Sequence, residues 1–247
     1  YAVLGNEYQI IYDLIKILSS VISVYLIFRF FSDYMSYDRA IIASFIFVLY
    51  PLHDTTLYWY MTLQYILAPA ILLYAHHLIR NNKIRKGFLV TIVGSFLSYA
   101  SPPYLFGLTV IFLYEKKLKK AIVFATPGIL YVAYYFWMKF NYAGLERRIN
   151  SDLSILDFLK QMLIQPLSFL ESAIGPSYWL KVFYAIESIG FISIIIIAMI
   201  LIFSFIRVKS FSKVRKLPKS LYIGLISVLL LSFGMFALTG LYSHSAF

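Results

Sequence analysis

The apolar run FYAIESIGFISIIIIAMILIFSFI, residues 183–206, limits most strongly what this chain can fold into. About 20 apolar helical residues cross a hydrocarbon core of roughly 30 Å. Only a structure that satisfies its own backbone hydrogen bonds can do so. The chain is 61% hydrophobic and 13% charged, whereas soluble domains average roughly 45–50% apolar and about 25% charged residues. The sequence therefore predicts an integral membrane protein.

Polar and charged residues divide the chain into several such apolar segments. They predict an all-α fold, a polytopic transmembrane helix bundle that forms a single domain over residues 1–247. The predicted helices lie at about 8–31, 40–58, 60–79, 88–100, 103–114, 121–138, 183–206 and 220–240. Because the chain opens on Tyr1 without a methionine and stops soon after a span, we expect a fragment that lacks at least one N-terminal span.

Residues 88–114 require a choice between one span and two short helices. Their 27 residues would form about 40 Å of helix, which is enough for a single tilted span. However, Pro102 and Pro103 remove two successive backbone donors and disfavour helix at the residue before each of them. We therefore predict a short broken helical hairpin.

The distribution of basic residues agrees with a hairpin. With it, residues 80–86, 116–120 and 207–219 fall on one side together with Arg29 and Arg39, and these segments hold 16 Lys and Arg residues. Cytoplasmic loops carry such an excess, so the sequence predicts a multi-pass protein of the cell membrane with its basic loops in the cytoplasm. The net charge of +11 then favours anionic membrane lipid over nucleic acid as a partner.

The stretch YPLHDTTLYWYMTLQY, residues 50–65, contains the candidate catalytic residues. Topology predicts that His53 and Asp54 emerge at the external end of their helix, where an imidazole and a carboxylate can exchange protons. Trp59 and Gln64 follow, an aromatic and an amide group suited to binding a sugar or a lipid headgroup. Glu187, a carboxylate near the start of a span, is a further candidate for substrate binding. A hydrated helix end is the simpler interpretation of Asp54.

The external segment 139–182 contains an amphipathic helix. Its polar residues recur every three or four positions on an otherwise apolar helix, which predicts a helix that lies in the membrane interface. Arg147, Arg148 and Lys160 are the external cations most able to bind a lipid phosphate, because arginine offers a fixed donor fork and a permanent charge. Solvated surface cations are the simpler interpretation.

Other charged or polar residues have structural explanations. Asp13 and Lys16 are spaced to pair on one helix face, and His76 and His77 are more consistent with interfacial packing than with a metal site. The chain has no cysteine and none of the common nucleotide-binding, zinc-protease or serine-hydrolase motifs. No metal ligands are predicted, the cofactor is unknown, and we expect no internal repeat.

The order of these features resembles the GT-C superfamily of polytopic glycosyltransferases, which includes protein O-mannosyltransferases. Residues 6–30, NEYQIIYDLIKILSSVISVYLIFRF, look like the family's second span. The segment YPLHDTT, residues 50–56, is similar to the Pro-x-His-x-acid end of its third span, although the acid here directly follows His53. The broken pair SFLSYASPPYLFGLTVIFLYEKK, residues 95–117, also fits but has Ser101 and Pro102 where the family often has a basic residue and an acid. The external segment 150–180 fits as well.

The resemblance implies transfer of a sugar from a polyprenyl-phosphate carrier to an acceptor on the extracytoplasmic face. It also implies that the principal catalytic acid lies in a loop before Tyr1, with Asp54 as a secondary residue of the site. Two alternatives remain. The first is a transporter or flippase for a lipid-linked or small polar substrate, which intramembrane charges such as Asp13 and Glu187 would also suit. The second is a non-catalytic membrane subunit.

Overall fold

The structure, a computed structural model, describes residues 9–49, 63–142, 154–188 and 216–239 together with positions 195, 199 and 202. Within the four continuous ranges it has nine α-helices and no strand. They are α1 (Gln9–Phe31), α2 (Tyr37–Leu49), α3 (Gln64–Arg80), α4 (Ile84–Leu97), α5 (Ser101–Tyr114), α6 (Leu118–Asn141), α7 (Ile155–Ile174), α8 (Pro176–Ser188) and α9 (Lys219–Thr239). The all-α prediction is confirmed for these residues.

The chain forms two compact units. Unit 1 comprises Tyr1–Arg147 and Leu217–Met235, and unit 2 comprises Arg148–Lys216 and Phe236–Phe247. Three helices are long and apolar enough to cross a membrane: Ile10–Phe31, Leu118–Asn141 and Lys219–Leu238. Fewer than three in ten of the residues in their most apolar windows are buried inside the protein, so most of this surface is available to lipid. These helices agree with the prediction of a membrane protein.

The break between α4 and α5 lies where the sequence predicts it. Helix α4 ends at Leu97, Ser98 adopts an extended conformation, and α5 begins at Ser101. Pro102 and Pro103 fall in the first turn of α5, where backbone N–H groups have no partner within the helix and their loss costs little. The Ser101 hydroxyl donates to the Gly94 carbonyl over 2.7 Å, which joins the end of α4 to the start of α5.

Two turns of the same geometry connect α3 to α4 and α5 to α6. Asn82 and Lys116 adopt left-handed backbone conformations, with φ of 62° and 58°. In each turn the next residue is a lysine, and its backbone N–H donates to the carbonyl of the residue five positions earlier, as in a Schellman motif. These bonds are Lys83 to Leu78 at 2.9 Å and Lys117 to Phe112 at 2.8 Å. Consequently α3–α4 and α5–α6 are hairpins of the same construction, and their turns lie at the same end of unit 1.

The two hairpins share a few residues at matching positions. Five identical residues recur 34 positions apart. The pairs are Tyr65 and Tyr99, Pro69 and Pro103, Lys83 and Lys117, Lys86 and Lys120, and Gly94 and Gly128. The first pair meets in space, because the Tyr65 hydroxyl donates to the Tyr99 hydroxyl over 2.7 Å at the end of unit 1 opposite the two turns.

Large apolar side chains and small residues together form the core of unit 1. Ile27, Leu72, Ile79, Leu108 and Phe112 are among the buried side chains of a single cluster. Glycine allows two helices to approach closely there, as is common in membranes. A Cβ atom added to Gly107 would lie 2.5 Å from the backbone nitrogen of Val228, so α5 and α9 are in near-backbone contact.

Unit 2 contains helices α7 and α8. Ser154 begins α7 by accepting a hydrogen bond from the Asp157 N–H over 3.1 Å, a typical N-cap. The Glu171 carboxylate accepts from the N–H and the hydroxyl of Ser177 in the first turn of α8. Many large apolar side chains of both helices are exposed, among them Leu159, Leu163, Leu167, Trp179 and Phe183.

Candidate functional site

The largest group of interacting ionisable side chains in the described part of unit 1 lies at the end that carries the two turns. We call it the basic-end cluster. It comprises Arg29, Asp33, Tyr34, His77, Arg80, Asn81, Glu115, Lys117, Lys120 and Ser220. The end of α1, both turns and the start of α9 all contribute residues. The sequence predicts that the basic segments lie at one end of the bundle, and the described parts of these segments do.

Glu115 is the acid with the most partners in this cluster. Arg80 Nη1 donates to Glu115 Oε1 and Oε2 over 2.8 and 2.9 Å, and Lys117 Nζ donates to Oε2 over 2.6 Å. The Ser220 hydroxyl donates to Oε1 over 3.0 Å. Burial by itself would raise the pKa of Glu115, but these hydrogen bonds and the Arg80 charge outweigh it and lower the pKa to about 2. Glu115 is therefore ionised and connects α3, α5, α6 and α9.

Arg80 makes further contacts that fix its position. Its guanidinium carbon lies 4.4 Å above the centre of the Tyr34 ring, a cation–π geometry. Arg80 Nη1 also donates to the Tyr34 hydroxyl over 3.1 Å. Burial raises the pKa of Tyr34, so the phenol stays protonated. Lys120 Nζ donates to the Arg80 carbonyl over 2.7 Å, which satisfies a carbonyl at the end of α3.

A second group joins α1 to α3 through His77. His77 Nδ1 lies 2.9 Å from Asp33 Oδ2, and Asn81 Nδ2 donates to Asp33 Oδ1 over 3.1 Å. Arg29 Nη2 lies 3.3 Å from His77 Nε2. Guanidinium nitrogens only donate, so His77 Nε2 is the acceptor in this contact, while His77 Nδ1 lies within hydrogen-bond distance of Asp33 Oδ2 and Asn81 Nδ2.

His76 differs from its neighbour. It is fully buried, and neither ring nitrogen has a hydrogen-bond partner among the residues that the structure describes. Its ring stacks on Phe112 at 4.1 Å and meets Phe30 and Phe124 edge-on at 5.3 and 5.6 Å. An edge-on contact can direct an N–H toward an aromatic face. His76 therefore behaves as an aromatic core residue, in agreement with the packing interpretation of this histidine pair.

The residues of the basic-end cluster have a structural role. Both carboxylates that are largely buried there, Asp33 and Glu115, are held by cationic or polar side chains of the protein itself. In ranges 9–49, 63–142, 154–188 and 216–239 there is no group of three or more His, Asp or Glu residues that could hold a metal. The cluster joins helix ends.

The sequence-predicted site residues are distributed over the chain. His53, Asp54, Trp59, Arg147 and Arg148 lie outside the described residues. Gln64 is the first residue of α3 and lies at the end of unit 1 opposite the cluster. Lys160 and Glu187 are exposed on α7 and α8 of unit 2. Gln64, Lys160 and Glu187 do not belong to the basic-end cluster.

Sequence reasoning missed the cluster because its pairs are distant in the chain. His77 and Asp33 are 44 positions apart, and Arg80 and Glu115 are 35 apart. A signal was present: Asp33, Asp38 and Glu115 are the acids within segments that are otherwise strongly basic. An acid among many cations attracts several of them, and two of these three acids have become the buried centres of ion pairs.

Comparison of the chain with protein-family models, with curated proteins and with solved structures found no match. Function is therefore inferred from the residues and from the arrangement of the helices. Two features carry that inference: the location of the ionic groups at one end of unit 1 and the direction of the helices that leave it.

Proposed function

We propose that the chain belongs to an integral membrane glycosyltransferase that transfers a sugar from a polyprenyl-phosphate carrier to an acceptor on the extracytoplasmic face. The observation that carries the proposal is the arrangement of the basic segments. The Arg80–Glu115 pair and the Lys120–Arg80 contact bring both basic turns to one end of unit 1. By the positive-inside rule that end faces the cytoplasm.

The directions of α2 and α3 then support an external location for His53 and Asp54. Helix α2 starts a few residues after the end of α1, which lies at the basic end, and helix α3 ends there at Arg80. The opposite ends of these two helices, at Leu49 and Leu63, flank the segment that contains both candidate residues. An acid at this face is available to a polyprenyl-phosphate sugar that has crossed the membrane.

The roles of the individual residues follow from their chemistry. Asp54 and His53 orient the acceptor and assist its deprotonation, as secondary residues of the catalytic site. Trp59, Gln64 and Glu187 bind the sugar through an aromatic face and polar groups. Arg147, Arg148 and Lys160 neutralise the phosphate that leaves. Helices α7 and α8, with exposed leucines and an exposed Trp179, lie in the membrane interface beside the lipid carrier.

Labelling of single cysteines tests the sidedness on which the proposal depends. The chain contains no cysteine, so each introduced thiol reports on one position. We expect Thr55→Cys and Tyr142→Cys to react with a membrane-impermeant maleimide in intact cells. The controls Lys83→Cys and Lys119→Cys, in exposed parts of the basic turns, should react only after lysis. Reaction of the control pair and protection of Thr55→Cys in intact cells would invert the topology and remove the proposal.

Transfer activity tests the chemistry. The protein is placed in lipid nanodiscs with radiolabelled polyprenyl-phosphate mannose or glucose, and release of water-soluble label is followed. We expect Asp54→Asn to lower the rate at least about tenfold, as for loss of a charged hydrogen bond. The control Asp38→Asn removes an exposed acid at the basic end and should retain activity. A full rate in Asp54→Asn assigns no role to this carboxylate.

A transporter is the second candidate, and the two similar hairpins of unit 1 favour it. Transporters are commonly built from repeated helical segments with broken helices. Here α3–α4 and α5–α6 contain turns of the same geometry, and the chain is interrupted between α4 and α5. Cysteine labelling separates the candidates, because a transporter alternates between two faces and Thr55→Cys would then react from both sides, whereas an enzyme site would react from the external side alone.

A further inference from the structure

At the basic end, the acids are largely buried whereas many of the cations are exposed. Glu115 and Asp33 have side chains only 15% and 12% exposed, and they are held within the protein. The cations around them are exposed and have no acid partner among the residues described in unit 1. These cations are Lys83, Arg85, Lys86, Lys116, Lys119 and Lys219. The surface at this end is therefore strongly positive even though the cluster beneath it contains acids.

The two basic turns carry similar cations in the same order. The turn that contains Lys83-Ile84-Arg85-Lys86 corresponds, 34 residues later, to Lys117-Leu118-Lys119-Lys120. Both segments start with a lysine after a left-handed residue and open a helix. In both, an apolar residue separates the first lysine from the next cation. The same charged surface is thus built by two hairpins that lie side by side.

Each of three helices carries a stripe of exposed apolar residues that ends in one of these cations. On α4, Arg85 lies on the same face as Leu89 and Val93, which are 63% and 57% exposed. On α9, Lys219 lies on the same face as Tyr222 and Ile226, because residues three, four and seven positions apart share a helix face.

Helix α6 repeats the pattern. Lys119 is followed one turn later by Ile122, which is 58% exposed, and farther along by Ile129 and Leu130. Such apolar stripes suit the hydrocarbon of a membrane, and a cation at the end of a stripe is then at the level of the lipid headgroups, where its aliphatic stem covers apolar surface while the charge reaches the phosphates.

We propose that these exposed cations bind the phosphate groups of anionic phospholipids in the leaflet that faces the basic end. An acidic protein partner would be expected to contact cations on the end surface, away from the apolar stripes. Here Arg85, Lys119 and Lys219 instead border surface that suits lipid tails. The inference does not depend on transferase activity, because none of these cations is a predicted catalytic residue.

Native mass spectrometry of lipids that stay bound tests the proposal. The protein is released from nanodiscs of equal phosphatidylglycerol and phosphatidylcholine, and the ratio of the two retained lipids is measured. We expect the combined variant Arg85→Gln, Lys119→Gln and Lys219→Gln to lose preference for phosphatidylglycerol by about fivefold per cation removed. All three side chains are exposed, so the fold should be retained.

Two matched controls separate this site from a general effect of charge. Lys139→Gln and Lys181→Gln remove two cations outside the basic end and should keep the preference, whereas Arg85→Gln and Lys119→Gln remove two cations at the site and should weaken it. Arg85→Lys, Lys119→Arg and Lys219→Arg retain the charge at the site and should also keep the preference. Equal loss in the first control, or an unchanged ratio in the test variant, would overturn the proposal. Displacement of phosphatidylglycerol by soluble polyglutamate at low concentration would instead indicate an acidic protein partner.

Discussion

Replacement of Glu115 by glutamine is expected to destabilise unit 1 by about 3 kcal/mol at neutral pH. Glutamine keeps the size of the side chain but removes the charge that pairs with Arg80 and Lys117 over 2.8 and 2.6 Å. Removal of one partner from a buried pair is costly because the other charge stays in place without compensation. The lowering of the pKa of Glu115 to about 2 has the same sign, because the folded protein favours the ionised carboxylate.

The same residue makes stability depend on pH. The pKa of Glu115 is lower in the folded protein than in the unfolded chain, so the unfolded chain binds the proton more tightly. Its contribution is complete above about pH 4.5 and is lost as the pH falls toward about 2. We therefore expect the unfolding temperature of the wild type to fall over this range, and the Glu115→Gln variant to show a smaller fall because the titrating group is absent.

Thermal unfolding in detergent, followed by circular dichroism from pH 7 to pH 3, measures both effects. Asp38→Asn is the matched control, because it removes an exposed acid of the same end of unit 1 and should change stability by less than about 1 kcal/mol. Equal stability of Glu115→Gln and Asp38→Asn at pH 7 would show that the ion pairs of Glu115 contribute little. An identical pH dependence in wild type and Glu115→Gln would assign the titration to other groups.

Contacts within one helix were predictable from spacing, whereas contacts between helices were not. Asp13 and Lys16 are three positions apart, and the predicted pair is confirmed, with Lys16 Nζ 2.7 Å from Asp13 Oδ1. The break near Pro102 was also predictable, because proline acts through the local backbone. The contact between Glu115 and Arg80 requires knowledge of which helix ends meet, and hydropathy does not contain that information.

The similarity of the two turns was also not predictable. Asn82 and Lys116 both adopt left-handed backbone conformations with the same hydrogen-bond pattern, and neither is a glycine, the residue that usually marks this conformation. The predicted catalytic residues His53 and Asp54 are a different case, since they lie outside the described residues and stay predictions.

Introduction of a single methyl group at Gly107 is expected to disrupt the contact between α5 and α9. A Cβ atom there would lie 2.5 Å from the backbone nitrogen and 2.6 Å from the Cα atom of Val228. Backbone atoms cannot move aside as a side chain can, so the two helices must separate and lose part of their interface. We expect Gly107→Ala to destabilise unit 1 by at least about 1–3 kcal/mol, and Gly107→Leu to prevent normal packing of α9.

Gly128 provides a control, because replacement of this glycine by alanine should not lower the stability of the protein. A Cβ atom at Gly128 would first meet Leu105 Cδ1 at 3.1 Å, the mobile end of a side chain. Replacement of glycine by alanine within a helix otherwise favours the helix by up to about 1 kcal/mol. Gly128→Ala should therefore be neutral or stabilising when the unfolding temperatures of the two variants are compared in the same detergent.

A second substitution identifies which atoms obstruct the new methyl group at Gly107. Val228→Ala removes the side-chain contact, which lies at 2.5 Å from the added Cβ, but leaves the backbone nitrogen and Cα in place. If the approach of the two backbones determines the cost, the Gly107→Ala and Val228→Ala double variant should remain as unstable as Gly107→Ala alone. Full rescue by Val228→Ala would mean that side-chain packing sets the distance between α5 and α9, and the backbone contact would then have no special role.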